Sequence, residues 1–143
     1  LRLSPLLLLA FPRHADGMLG APTAYATGGM GSGGGLGIQG ALVLSREDRR
    51  LFAANAGSNE ISEFRATRGG VSLLDKVRSG GACGPSASRG PNVGPAQIGF
   101  SPDGEQLVVT EKATNMIAVY HVSENGRASA PRLLPASGVT SMP

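Results

Sequence analysis

Two stretches of this sequence repeat each other without gaps at a spacing of 56 residues, and that limits the fold more than any other feature. Ser45, Leu51, Asn59 and Ile61 recur as Ser101, Leu107, Asn115 and Ile117. A second alignment reaches the start of the chain. Phe11, Phe64 and Tyr120 each stand six residues before the glycine of a tight-turn dipeptide, Asp16-Gly17, Gly69-Gly70 and Asn125-Gly126, at intervals of 53 and 56 residues. The first and third copies also share Ala-Pro after the turn, at Ala21-Pro22 and Ala130-Pro131. A period of this length means that one supersecondary unit is stacked on copies of itself.

Within each unit, short apolar runs are cut by turn chemistry and none keeps a helical period, so the unit reads as a meander of strands. The middle copy gives strands at 41–44, 51–54, 60–66 and 71–77; the last gives 97–100, 106–110, 116–122 and 131–134. Residues 7–11 and 23–27 read as the final two strands of an earlier unit. Ser101-Pro102-Asp103-Gly104 supplies a type I turn, and Asn125-Gly126 is a strong hairpin signal. Four-stranded meanders at this period are the mark of β-propeller blades. The expected fold is therefore all-β, a partial β-propeller of about two four-stranded antiparallel blades plus a half blade, with a short two-sheet sandwich as the alternative. The expected division is a partial blade at 1–29, a Gly-rich crossover at 30–40, a blade at 41–80, a Gly/Pro/Ser loop at 81–94, a blade at 95–138 and a truncated tail at 139–143.

Composition agrees with this once the glycines are placed. The 22 Gly and 10 Pro among 143 residues would suit a disordered chain, but the 41% hydrophobic content suits a modest core. With no Trp and 4% aromatic residues, that core must be aliphatic. Gly29-Met-Gly31-Ser-Gly-Gly34 satisfies G-x-G-x-x-G only because glycine is so dense there; no helix pattern follows, and no Gly-Lys-Ser/Thr occurs. These glycines read instead as turns at Gly17, Gly70, Gly104 and Gly126 and as crossovers at 28–40 and 80–94.

Several functions are disfavoured. The charge of +3 is dispersed, with Arg46-Glu47-Asp48-Arg49-Arg50 reading as a solvated turn, so no nucleic-acid patch is expected. Cys83 is the sole cysteine and His14 and His121 are far apart, which argues against a disulfide, a metal site or a cofactor; both histidines are expected to face solvent. The apolar run 6–11 is too short to span a membrane, and a cytoplasmic location is slightly favoured over a secreted one. Asn59 and Asn115 are expected to shape the same connection in each blade.

At Gly94-Pro-Ala-Gln-Ile-Gly-Phe-Ser-Pro-Asp-Gly104, with Leu107-Val-Val-Thr-Glu-Lys112 and Asn115-Met-Ile-Ala-Val-Tyr120, the sequence resembles the lactonase-like seven-bladed β-propellers, the 6-phosphogluconolactonase and carboxymuconate lactonizing type. Gly40-Ala-Leu-Val-Leu-Ser45 and Leu51-Phe-Ala-Ala-Asn-Ala-Gly-Ser-Asn59 look like another blade of that family. The resemblance implies a chain carrying under half of the ring, and an activity of hydrolysing or forming a sugar or muconate lactone. It implies a channel site that uses a His in Gly-Pro-Arg-His and a Glu in Asn-Glu-Leu. Here Glu111 takes the Glu position, as a base or anchor, and Gln97 takes the His position. Gln97 exchanges hydrogen bonds but cannot cycle a proton at neutral pH. Lys112 could offset negative charge, and Asn55 holds the place of Glu111 one blade earlier, as a substrate contact or a loop cap. The implied partner is a small lactone or carbohydrate acid, and the open blade edges give the chain a route to self-association. A non-catalytic binding or scaffold module, or a non-functional remnant, is the competing reading.

Overall fold

The computed structural model describes residues 3–33, 40–47, 49–79, 93–123, 125 and 127–136. Cys83, Gly126, most of the expected crossover at 30–40, nearly all of the loop at 81–94 and the tail at 139–143 lie outside these residues. The described residues form ten strands: β1 (Ser4–Ala10), β2 (Thr23–Gly31), β3 (Leu42–Leu44), β4 (Arg50–Asn55), β5 (Glu60–Thr67), β6 (Gly70–Arg78), β7 (Pro95–Phe100), β8 (Gln106–Glu111), β9 (Met116–His121) and β10 (Arg132–Pro135). They make three antiparallel sheets, β1-β2, β3-β4-β5-β6 and β10-β9-β8-β7, each a meander in chain order. The expected strand ends move in one notable place. Strand β2 runs on to Gly31, so Gly28, Gly29 and Gly31 are strand residues, not crossover.

Turn chemistry sets the hairpins. Between β7 and β8, the Gly104 N–H donates to the Ser101 carbonyl at 2.9 Å and Gly104 sits at φ 80°. The Asp103 carboxylate accepts from the Ser101 hydroxyl and from the Glu105 N–H at 3.0 Å, which holds it below the usual carboxylate range. Asn59 and Asn115 both take the left-handed conformation, at φ 57° and 52°, a region that asparagine tolerates better than most residues. The two connections are equivalent in detail: Ser79 N–H donates to the Asn59 carbonyl at 2.9 Å, and Ala136 N–H to the Asn115 carbonyl at 2.8 Å.

The sheets stack, and burial records the stacking. Strands β4 and β5 are buried at successive positions, because the middle sheet is covered on both faces, whereas β1 and β8 bury alternate residues and are covered on one. The core between the middle and last sheets joins Phe52 and Ile61 to Ile98, Leu107, Val109, Ala118 and Tyr120. Phe52 meets Phe100 edge to face, with ring centroids 5.6 Å apart. The joint between the first and middle sheets is more polar and closer. The Ser62 hydroxyl donates to the Thr27 carbonyl at 2.6 Å, and Gly57 N–H donates to the Met30 carbonyl at 2.9 Å.

Candidate functional site

Register carries the site residues to their places. Glu111 ends β8, opposite Pro95 on β7 and Met116 on β9. In β8, Leu107, Val109 and Glu111 turn toward the middle sheet, so the last of this series is a carboxylate that must be satisfied by that neighbour. It is: Oε1 accepts from the Ser79 hydroxyl at 2.7 Å, at the end of β6, and Oε2 accepts from the Thr114 hydroxyl at 2.8 Å. Glu111 is 2% exposed, a buried and doubly bonded carboxylate.

The surroundings of Glu111 are stitched by backbone. Lys112 N–H donates to the Gly94 carbonyl at 3.1 Å, Ala113 N–H to the Val93 carbonyl at 3.2 Å, and Gly94 N–H to Asn59 Oδ1 at 3.2 Å. The turn after β8 is thereby fixed to the segment entering β7 and to the equivalent turn one sheet earlier. The Lys112 side chain is exposed. Gln97 is also exposed, and its strand receives the preceding unit at the edge, where Ile98 N–H donates to the Gly40 carbonyl at 3.0 Å.

Asn55 ends β4 as Glu111 ends β8. It is fully buried, and Nδ2 donates to the Ser62 hydroxyl at 2.7 Å. A Cβ at Gly29 would stand 2.3 Å from Asn55 Cγ, so the glycine in β2 is what lets the amide fit. Asn55 is therefore part of the joint between the first and middle sheets and not the cap of a loop. Its Oδ1 has no partner among the described residues. The repeat also accounts for what meets each of these groups. Leu7 pairs with Ala26 in β1-β2 as Glu60 pairs with Arg78 in β5-β6, so Thr27 and Ser79 are equivalent. Thr27, inside β2, and Ser79, just after β6, each meet the polar network of the next sheet.

The four expected site residues do not share one cavity. Gln97 is paired with Thr110, the neighbour of Glu111, so the pleat sends Gln97 and Glu111 to opposite faces of the last sheet. Asn55 belongs to a different joint. A buried acid that the sequence did not single out lies in β5, an inner strand of the middle sheet. Glu63, 1% exposed, accepts from Arg50 Nη1 at 2.8 Å, and Arg50 also donates to the Asn125 carbonyl. Arg50 is thus not part of a solvated turn. Burial pushes the Glu63 carboxyl up, and the nearby Asp75 adds to this; Arg50, Arg127 and the Ala128 amide oppose it. Its signal in the sequence is small, because β5 also holds Glu60, Ser62, Arg65 and Thr67 and so reads as a mixed strand.

Successive antiparallel meanders, stacked face to face, define a β-propeller, of which this chain carries two four-stranded blades and half of another. The fold is that of the lactonase-like propellers. The chain is similar to a protein of Bacteroides uniformis ATCC 8492 provisionally described as a 6-phosphogluconolactonase, with 19% identity, a TM-score of 0.69, and coverage of 93% of this chain and 38% of that one. It is similar to the periplasmic gluconolactonase PpgL of Pseudomonas aeruginosa, with 18% identity, a TM-score of 0.65, and coverage of 95% and 37%. A Lactobacillus plantarum protein matches with 22% identity, a TM-score of 0.65, and coverage of 89% and 35%. The chain thus spans less than two-fifths of each of these solved chains. No protein-family model and no curated protein matches it. Among the described residues, no helix is long and apolar enough to cross a membrane, and no cluster of His, Cys, Asp or Glu could hold a metal ion.

Proposed function

We propose that this chain is a segment of a lactonase-type propeller that handles a small sugar lactone, with Glu111 as its anchoring carboxylate. The observation that carries the reading is the fixed carboxylate at the end of β8, held at 2.7 Å by Ser79 and at 2.8 Å by Thr114 within a fold shared with lactonases. Lactone hydrolysis needs an activated water and donors for the developing oxyanion. A carboxylate oriented by two hydroxyls can position a water or a sugar hydroxyl when one of those hydroxyls rotates away. Lys112, next in the chain, supplies an exposed donor, whereas Gln97 lies on the opposite face of the sheet.

A second reading, binding without turnover, is favoured by two observations: Gln97 cannot cycle a proton, and both Glu111 oxygens are occupied. Gluconolactone hydrolysis followed by pH-stat on the chain and on Glu111→Gln separates the two. Catalysis predicts a rate at least about 100-fold lower in the variant. Equal rates in both proteins would exclude Glu111 catalysis, and calorimetric binding of the lactone without turnover would establish the second reading.

A further inference from the structure

The first hairpin and the outer face of the last sheet differ from their internal counterparts in ways that complement each other. The hairpin after β1 repeats backbone pairings of the one after β9. Arg13 bridges Leu19 as Val122 bridges Ala128. His14 N–H donates to the Met18 carbonyl as Ser123 N–H does to that of Arg127. Asp16, Met18 and Leu19 therefore stand where the later hairpin has Asn125, Arg127 and Ala128. That later hairpin closes on the middle sheet: Arg50 donates to the Asn125 carbonyl, and Arg127 lies 3.8 Å from Asp75. Ala128 packs against the core, with its amide beside Glu63.

The last sheet has the matching receptor on its other face. Glu63 is paired with Asp75 across β5-β6, and Val119 with Arg132 across β9-β10. Arg50 opens β4 as Gln106 opens β8. So Gln106, Val119 and Arg132 occupy the places of Arg50, Glu63 and Asp75, and with His121 and Leu134 they line a groove of about 300 Å³. The changes are reciprocal. Where the buried acid Glu63 becomes Val119, the opposing Ala128 becomes Leu19. Where the acid Asp75 becomes the base Arg132, the opposing base Arg127 becomes Met18, and Asn125 becomes the acid Asp16. The strand leading into the hairpin is exposed in the same way. Leu9 and Phe11 are 50% and 47% exposed, whereas their equivalents Ala118 and Tyr120 are fully covered by the preceding sheet. Met18 and Leu19 are 66% and 61% exposed.

We propose that the chain associates head to tail, the Asp16–Leu19 hairpin of one copy seating in the Val119–Arg132 groove of the next. The occupant is a second copy because its hairpin carries Leu19 at the place opposite Val119, Met18 at the place opposite the aliphatic stem of Arg132, and the Asp16 carboxylate at the place opposite the Gln106 amide. The contact continues the step that already joins the middle and last sheets, and it is heterologous, using different patches on the two copies.

Light scattering and sedimentation over roughly 1–100 μM test this. Wild type is expected to self-associate. Leu19→Asp and Val119→Glu, both at surface positions of the single chain, are each expected to weaken association at least about tenfold with unchanged circular dichroism. Each variant keeps one intact half of the joint, so an equimolar mixture is expected to form a one-to-one dimer. Arg132→Asp alone should dissociate the copies, and adding Met18→Arg should restore association by rebuilding the Asp75–Arg127 pair between chains. A wild-type monomer throughout that range, association indifferent to Leu19→Asp and Val119→Glu, or a mixture that does not pair, would each overturn the proposal.

Discussion

Close backbone approach, more than any side chain, sets the tolerance of single positions. A Cβ at Gly57 would stand 2.3 Å from the Gly31 carbonyl oxygen and 2.8 Å from that of Met30, and backbone atoms held by strand hydrogen bonds cannot swing aside. Gly57→Ala is therefore expected to destabilise the fold by about 1–3 kcal/mol, through separation of the first and middle sheets. Gly99, inside β7, has nothing within 4 Å of its virtual Cβ. Gly99→Ala is expected to be neutral or to stabilise by up to about 1 kcal/mol, since alanine restricts the unfolded chain. Urea denaturation of both variants checks the contrast; equal costs at the two positions would mean that the close approach at Gly57 is absent. Gly57 was not visible as special in the sequence. Glycine content reports where unusual backbone is affordable, but not which glycine faces another strand of a neighbouring sheet.

Elements meet through polar joints whose members are far apart in sequence, and here the sequence was least legible. The 56-residue spacing made Asn55 and Glu111 equivalent and gave the strands, the turns and the order of the sheets, because these depend on local pattern. It did not pair Glu111 with Ser79, or Arg50 with Glu63, since an offset says which residues correspond and not which faces meet. Arg50, held by Glu63, donates to the Asn125 carbonyl and so fastens the β9–β10 hairpin to the middle sheet, and the titration of Glu63 can be predicted in sign. With the Glu63 pKa raised above 4.5 in the fold, the native chain holds that proton more tightly than the unfolded one. The contribution is fully present below the unfolded pKa and is lost as pH rises through the folded value. Wild type is thus expected to lose stability relative to Glu63→Gln as pH rises from the ordinary carboxylate value through the raised folded one. Paired denaturation curves across that range measure it, and the opposite slope would mean that the attraction to Arg50 outweighs burial.

At the scale of the molecule, the two inter-sheet joints differ in kind, and the difference predicts how the chain opens. The middle and last sheets share one aliphatic and aromatic core, in which Phe52, Leu107, Val109, Ala118 and Tyr120 are all at most 0% exposed. The first sheet has two strands and places Leu7 and Leu9 on its uncovered face at 54% and 50% exposure. Its joint rests on Leu8, on the Thr27–Ser62–Asn55 bonds and on the Gly57–Met30 bond. A two-stranded sheet with one bare face is marginal alone. Amide exchange in β1 and β2 is therefore expected to proceed by an opening that leaves the other eight strands paired. Phe52→Ala removes a ring from the shared core and is expected to cost about 3–5 kcal/mol. It should lower protection in β4, β5, β8 and β9 together, because cooperative units follow shared packing and not sheet membership. Native-state hydrogen exchange on wild type and Phe52→Ala resolves this. Loss of protection confined to β4 and its own sheet would show that the blades open one by one, and protection of β1 equal to that of β8 would show that the half blade is locked into the global unit.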